Sequence, residues 1–340
     1  MDALRSPYET LRVSISELDR GVLEVGLARR NLLNAVSFDM VLELHRIFDA
    51  VETIRQQKRE DVAHDLRVMV LSFDGGCVGV DVASADADPD WLYQHMHSQS
   101  LLAALVEKLY RLPLVVVCVA DGPVVGLGLA LFLASDLRVA TGSSTFRCGF
   151  RYVVAAGVFA VSAVSAVSTV STVSAVSTVS TVSDVSTVPA VVHPKHPLTH
   201  PPTHLPTHVS SLRSSLGISN ADMGVSYLLP KVAGYATASR MMLTNEIMPA
   251  EEGLRLDLTH FVEGDHAAAT ARVRSLVRSL EAQHSVQGLS LTKKQLKASS
   301  DGGSLAQAVV AENGIQTYLL SREDVMRRAR KMLASLSSKL

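Results

Sequence analysis

Leu71-Ser-Phe-Asp-Gly-Gly-Cys-Val-Gly-Val-Asp81 and Ala120-Asp-Gly-Pro-Val-Val-Gly-Leu-Gly-Leu-Ala-Leu-Phe-Leu-Ala-Ser-Asp136 decide the reading of this chain. Each is a β-strand that runs into a glycine turn, and the turn opens a helix. Glycine accepts dihedrals other residues avoid and lets a ligand come close to the backbone, so such turns expose N–H groups. Two N–H groups from separate turns can converge on one oxygen, which is the geometry of an oxyanion hole.

Outward from these turns the pattern stays α/β. Residues 10–27 alternate like a hairpin, with Leu11-Arg-Val-Ser-Ile before the turn and Val22-Leu-Glu-Val after it. Ser37 reads as the N-cap of a helix carrying Met40, Val41, Leu44, Ile47, Phe48 and Val51 at helical spacing. Leu66–Phe73, Val115–Ala120 and Leu137–Ala140 read as strands, and Trp91–Leu109 and Gly126–Leu133 as helices. This alternation predicts a parallel sheet backed by helices, with ligands at the carboxyl ends of the strands, where both glycine turns fall. From Pro249 the chain reads mostly helical, most clearly over Ala267–Ala282 and Leu305–Leu336.

Composition excludes several classes. The net charge of -1 gives no case for nucleic acid or an anionic membrane. Cys77, Cys118 and Cys148 lie on or beside predicted core strands and read as free buried thiols, not a disulfide framework. Met1–Glu9 is polar, so no signal peptide is expected, and no apolar run suits a bilayer span.

Residues 154–212 interrupt the pattern. From Val161 to Val188 a Val-Ser-Ala/Thr unit recurs every third residue, a period that fits neither a strand face nor an amphipathic helix. A Pro/His/Thr tract follows, with His193, His196, His200, His204 and His208. Prolines beside most of these histidines prevent the helical spacing that would cluster them on a metal. The expectation is a low-complexity, disordered insertion that loops out of an otherwise continuous core.

The two glycine segments resemble those of the enoyl-CoA hydratase/isomerase family, the crotonases. Gly79-Val-Asp81 matches the end of the first family signature. Asp121-Gly122 with Gly126-Leu127-Gly128 and Ser135-Asp136 matches the second. Arg30-Asn-Leu-Leu-Asn-Ala35 fits the N-terminal pattern, Leu216–Gly234 a third, and Met242-Leu-Thr with Ala250-Glu-Glu-Gly-Leu-Arg-Leu a fourth. The resemblance implies a ββα superhelix with a C-terminal helical region. It divides the chain into an interrupted core (1–153 and 213–260), the insertion (154–212), a helical region (261–337) and a terminal tripeptide (338–340). It also implies acyl-CoA thioester substrates, coenzyme A only as part of the substrate, no metal, and a homotrimer or hexamer.

The residue roles it implies are mixed. Backbone N–H groups of Val78 and Leu127 would form the oxyanion hole, with Gly79, Gly126, Gly128 and Lys293 contacting substrate. Lys293 and Lys294 resemble a lysine that meets CoA phosphates. Leu127 replaces the middle glycine, so its side chain is a candidate to crowd the thioester. Hydratases of the family place glutamates where this chain has Ala130 and Phe150. Neither can move a proton, so two-glutamate hydration is not expected. Asp222 lies in the turn Asn220-Ala-Asp-Met-Gly224, where some isomerases keep an essential aspartate. It is the candidate shuttle for a double-bond shift, or else a helix cap. Asp81, Asp121 and Asp136 read as turn-fixing residues, and His95, His97 and His260 show no metal spacing. The alternative is a catalytically silent acyl-CoA-binding or scaffold protein.

The chain ends in Ser338-Lys339-Leu340. This tripeptide is a receptor-read peroxisomal address, so a peroxisome or glycosome and its import receptor are expected. Fatty acyl-CoA chemistry is at home there.

Overall fold

The structure is a computed structural model and describes residues 4, 7–16, 21–56, 66–79, 91–149 and 220–337. The insertion, Val80-Asp81, Phe150 and Ser338–Leu340 lie outside the described residues.

The predicted hairpin forms as β1 (Leu11–Ile15) and β2 (Val22–Leu27), antiparallel with Leu11 opposite Leu27. Strands β3 (Val68–Asp74), β5 (Val115–Asp121), β7 (Leu137–Thr141) and β10 (Phe261–Glu263) continue from β2 in parallel. The large sheet therefore runs β1-β2-β3-β5-β7-β10. A second sheet, β4-β6-β8-β9, is built from the short strands β4 (Cys77–Val78), β6 (Pro123–Val125), β8 (Thr145–Arg147) and β9 (Met248–Pro249). The pairs β3-β4, β5-β6 and β7-β8 each give one strand to either sheet. The first two pairs lead on to helices α2 (Trp91–Arg111) and α3 (Leu127–Ala134). This is the ββα winding the family resemblance implies.

Every residue of Val115–Ala120 is buried because helices cover both faces of the large sheet. Val116, Cys118 and Ala120 face the cluster of α1 (Phe38–Gln56), α2 and α3, while Val115, Val117 and Val119 face another. That second cluster contains Ala269, Val273 and Val277 of α6 (His266–Gln283) and Leu289 of α7 (Val286–Ser300). Ser37 caps α1 as expected, its Oγ accepting from the Met40 N–H at 3.3 Å. All six apolar residues read at helical spacing on α1 are buried.

Helix α4 (Val225–Thr244) bends at Gly234 and packs against α3. The short α5 (Ala250–Arg255) follows β9. The stretch Leu305–Leu336 is two helices, α8 (Leu305–Leu320) and α9 (Glu323–Ser337). Among the described residues no helix is long and apolar enough to cross a membrane.

Candidate active site

Two glycines bring the turns together. Gly76 has φ +95°, and a Cβ there would stand 2.5 Å from the Pro123 carbonyl oxygen. Gly128, in the first turn of α3, lies so close to β4 that a Cβ would meet the Cys77 carbonyl oxygen at 2.3 Å. Only glycine admits either approach. Helix α3 therefore starts directly against the Cys77-Val78-Gly79 turn, with Gly126 (φ 60°) as its N-cap.

The two expected oxyanion donors stand differently. The Leu127 N–H, at the start of α3, takes no acceptor among the described residues. It is one of the first-turn donors a helix leaves open, aligned with the positive end of the helix dipole. The Leu127 side chain is fully buried in the main core cluster, which answers the expectation that it would crowd a thioester. The Val78 N–H, by contrast, donates to the Leu33 carbonyl at 3.2 Å. Its side chain is buried with Ala35 and Val125, against Leu32 and Leu33. Val78 thus reaches the site with its donor occupied by the chain's own backbone. Gly79 and Gly126 serve as spacers whose N–H groups hold the turns, donating to the carbonyls of Val125 (3.1 Å) and Arg147 (3.2 Å).

Lys293 requires a correction. It is 6% exposed, and its ammonium donates to the Leu114 carbonyl at 2.8 Å and pairs with Asp136 at 2.7 Å. Burial pulls its pKa down and Asp136 opposes that shift. The ammonium is consumed at the amino end of β5 and has no free hydrogen-bonding direction toward a CoA phosphate. Lys294, its neighbour, is exposed. Asp136 also accepts from the Val116 N–H at 2.8 Å and pairs with Lys297 at 3.3 Å, so it ties β5 to α7, the structural role its motif suggested.

Asp222 is half-buried beside the buried Met223. Its Oδ1 accepts from the Met223 N–H at 2.8 Å and its carbonyl from the Val225 N–H at 3.0 Å. The turn is drawn tight by Met223 (φ 49°) and Gly224 (φ 80°), and Asn220 anchors it by donating to the Met242 carbonyl at 2.9 Å. Asp222 therefore stands in the turn that opens α4, the helix packed on α3. Ala130 is fully buried in the core cluster, one turn into α3.

Asp121 accepts from Thr141 Oγ1 (2.9 Å) and Ser143 Oγ (3.0 Å), fixing the turn as expected. Asp74, Asp121 and His266 bring one ligand atom each within 4.8 Å of one another. Arg30 pairs with Asp74 at 2.7 Å and His266 lies 3.4 Å from Asp121, so the two carboxylates are already partnered. Cys77, Cys118 and Cys148 are free and buried, and burial raises each thiol, Cys77 and Cys148 to about 12.

Sequence reasoning missed Asn34. It is fully buried with φ 51°, and its side-chain amide bonds three backbone groups around the first glycine turn. Its place in the Arg30–Ala35 pattern was the only available signal, because its partners are remote in sequence.

No protein-family model matches the chain. It is similar to the "Probable enoyl-CoA hydratase EchA12" of Mycobacterium tuberculosis, 25% identical over 306 residues that span 88% of this chain and 81% of that protein. It is also similar to the 1,2-epoxyphenylacetyl-CoA isomerase of Escherichia coli, 28% identical over 140 residues, 40% of this chain and 50% of the other. The crystal structure of enoyl-CoA hydratase from Bacillus anthracis superposes with a TM-score of 0.67 at 16% identity, covering 96% of this chain and 97% of that one. The ββα winding, the paired glycine turns and these likenesses agree, and the chain belongs to the enoyl-CoA hydratase/isomerase (crotonase) superfamily.

Proposed function

We propose that this chain is a CoA-thioester enzyme that stabilises an enolate at the turn pair and shifts a double bond, with Asp222 as the proton shuttle. The observation that carries the reading is the Leu127 N–H, open among the described residues at the start of α3 and held beside the Cys77–Gly79 turn by the Gly128 contact. A thioester oxygen would accept from Leu127, and from Val78 once the Leu33 carbonyl yields that donor. Charge developing on the oxygen is stabilised by these donors and by the α3 N-terminus. Asp222 would take a proton from the carbon next to the carbonyl. The electron pair moves through the enolate and the double bond shifts into conjugation. The same carboxyl then returns the proton two carbons further on, and no water is consumed.

Hydration is disfavoured because Ala130 offers no carboxylate. The second reading, a silent acyl-CoA binder, is favoured by the same alanine and by the engaged Val78 donor. The test is purified protein, with and without residues 154–212, against enoyl-, shifted-enoyl- and dienoyl-CoA. Asp222→Asn should lower any double-bond shift by about 10²–10⁴-fold with affinity nearly kept, the usual contribution of positioned acid–base catalysis. Binding without turnover of any substrate would select the silent reading.

Assembly and location belong to the same proposal. Exposed Tyr235, Leu243, Leu305 and Val310 fit burial between copies in a homotrimer or hexamer. Ser338-Lys339-Leu340 fits recognition by a peroxisomal import receptor. An N-terminally tagged protein should be punctate and peroxisomal, and removal of Leu340 should release it to the cytosol. Unchanged location after that deletion would discard the address.

A further inference from the structure

We infer that Asn34 is the positioning residue of the first oxyanion donor; the inference rests on the turn pair acting as proposed above. Asn34 Nδ2 donates to the carbonyls of Asp74 and Gly76, both at 2.8 Å. These carbonyls flank Gly75 and Gly76, so one amide group holds both sides of the turn that leads into Cys77-Val78-Gly79. Asn34 Oδ1 accepts from the Arg29 N–H at 2.9 Å, and the Asn34 N–H donates to the Arg29 carbonyl at 3.0 Å. The loop before β4 is thereby closed on itself and fastened to the turn.

Two backbone contacts carry that fastening to the site. The Val78 N–H meets the Leu33 carbonyl, and the Gly79 carbonyl accepts from the Val36 N–H at 3.2 Å. The acceptor that now occupies Val78 is the residue next to Asn34. Anything that moves Asn34 moves both the donor and its resident acceptor.

The side chain suits the task. Asparagine tolerates the left-handed backbone better than most residues, and its amide supplies two donors and an acceptor in one plane. Aspartate has the same shape and the same backbone tolerance but, ionised, offers no donor. Glycine keeps the backbone freedom and removes the side chain. Since Asn34 is fully buried, it can act only through the turn and touches no ligand itself.

The test compares full-length wild type with Asn34→Gly and Asn34→Asp. The first readout needs no ligand. Backbone amide exchange across residues 76–79 should accelerate about tenfold or more in both variants, because two hydrogen bonds to the turn are gone. Exchange in α1 and β5 should stay unchanged. The second readout uses hexanoyl-CoA, which is saturated and unreactive, carrying ¹³C at the thioester carbonyl. Bound to wild type, its infrared carbonyl band should move to lower frequency. Bound to Asn34→Gly it should return to the solution value while affinity stays within about threefold. A merely structural role would lower affinity or folding yield without this split. Unchanged exchange, or a carbonyl shift kept in Asn34→Gly, overturns the inference. Wild type that binds hexanoyl-CoA without a shift overturns the oxyanion-hole reading instead, and the exchange readout still judges Asn34. If neither variant folds, the Asn34 side-chain amide protons of the wild type are followed in D₂O by NMR. Retention beyond that of exposed side-chain amides supports the clamp, and rapid loss overturns it.

Discussion

Replacing Gly128 with alanine perturbs the contact that joins the two turns. The new methyl would sit 2.3 Å from the Cys77 carbonyl oxygen and 3.0 Å from the Cys77 carbonyl carbon and Cβ. Carbon–oxygen contacts normally lie at about 3.3–3.6 Å, so α3 and β4 must part by about 1 Å. Neither partner can swing aside, because the nearest atoms are backbone and Cys77 and Leu127 are both fully buried. Forcing a methyl into so tight a place costs about 1–3 kcal/mol of stability. The rate should suffer more, since a misplacement of about 1 Å at a reacting centre costs on the order of 100-fold. Urea unfolding reads the first effect and turnover of shifted-enoyl-CoA the second. Gly128→Ala with a wild-type unfolding midpoint and wild-type turnover would refute the close approach. Lost stability with full turnover would separate Gly128 from the chemistry.

Two further outcomes follow from the buried charges. Lys293→Met should destabilise by about 2–3 kcal/mol, short of the full cost of breaking a buried ion pair because Lys297 still pairs with Asp136. Its acyl-CoA affinity should be unchanged, and a tenfold loss measured by calorimetry would return Lys293 to the phosphate-binding role. His260 has its pKa pushed down to about 4, first by burial and then by the Arg138 guanidinium, and its Nδ1 accepts from the Arg138 N–H at 3.0 Å. Unfolded histidine titrates near ~6.5, so between these values the unfolded chain binds the extra proton. The contribution is therefore present above about pH 6.5 and is lost as pH falls toward 4. Urea unfolding from pH 7 to 4 should show a steeper decline in wild type than in His260→Asn, and parallel curves would discard the assignment.

The local physics of this chain was legible in its residues. The alternation of residues 11–27, the cap and spacing after Ser37, and the strand-turn-helix runs at both glycine segments each depend on neighbours a few positions away. The structure forms them all. Even the absence of a carboxylate at Ala130 is a local fact. The helical run from Leu305 to Leu336 was harder, because the pause at Ser321-Arg322 between α8 and α9 carries no glycine or proline to announce it.

Tertiary structure decided what each candidate can reach. Lys293 is hydrophilic and sits on a helix, which suggested a solvent-facing cation. Only the docking of α7 on the amino end of β5 puts it beside Leu114 and Asp136. Val78 offers a backbone donor in any conformation, but the Leu33 carbonyl that occupies it arrives from another part of the chain. Asn34 looked like one letter of a pattern, and its partners Asp74 and Gly76 lie 40 and 42 residues away. Periodicity reports which face of an element is apolar. Which remote backbone atom satisfies a given donor is set by close packing across elements, and that packing turns two glycine motifs into one site.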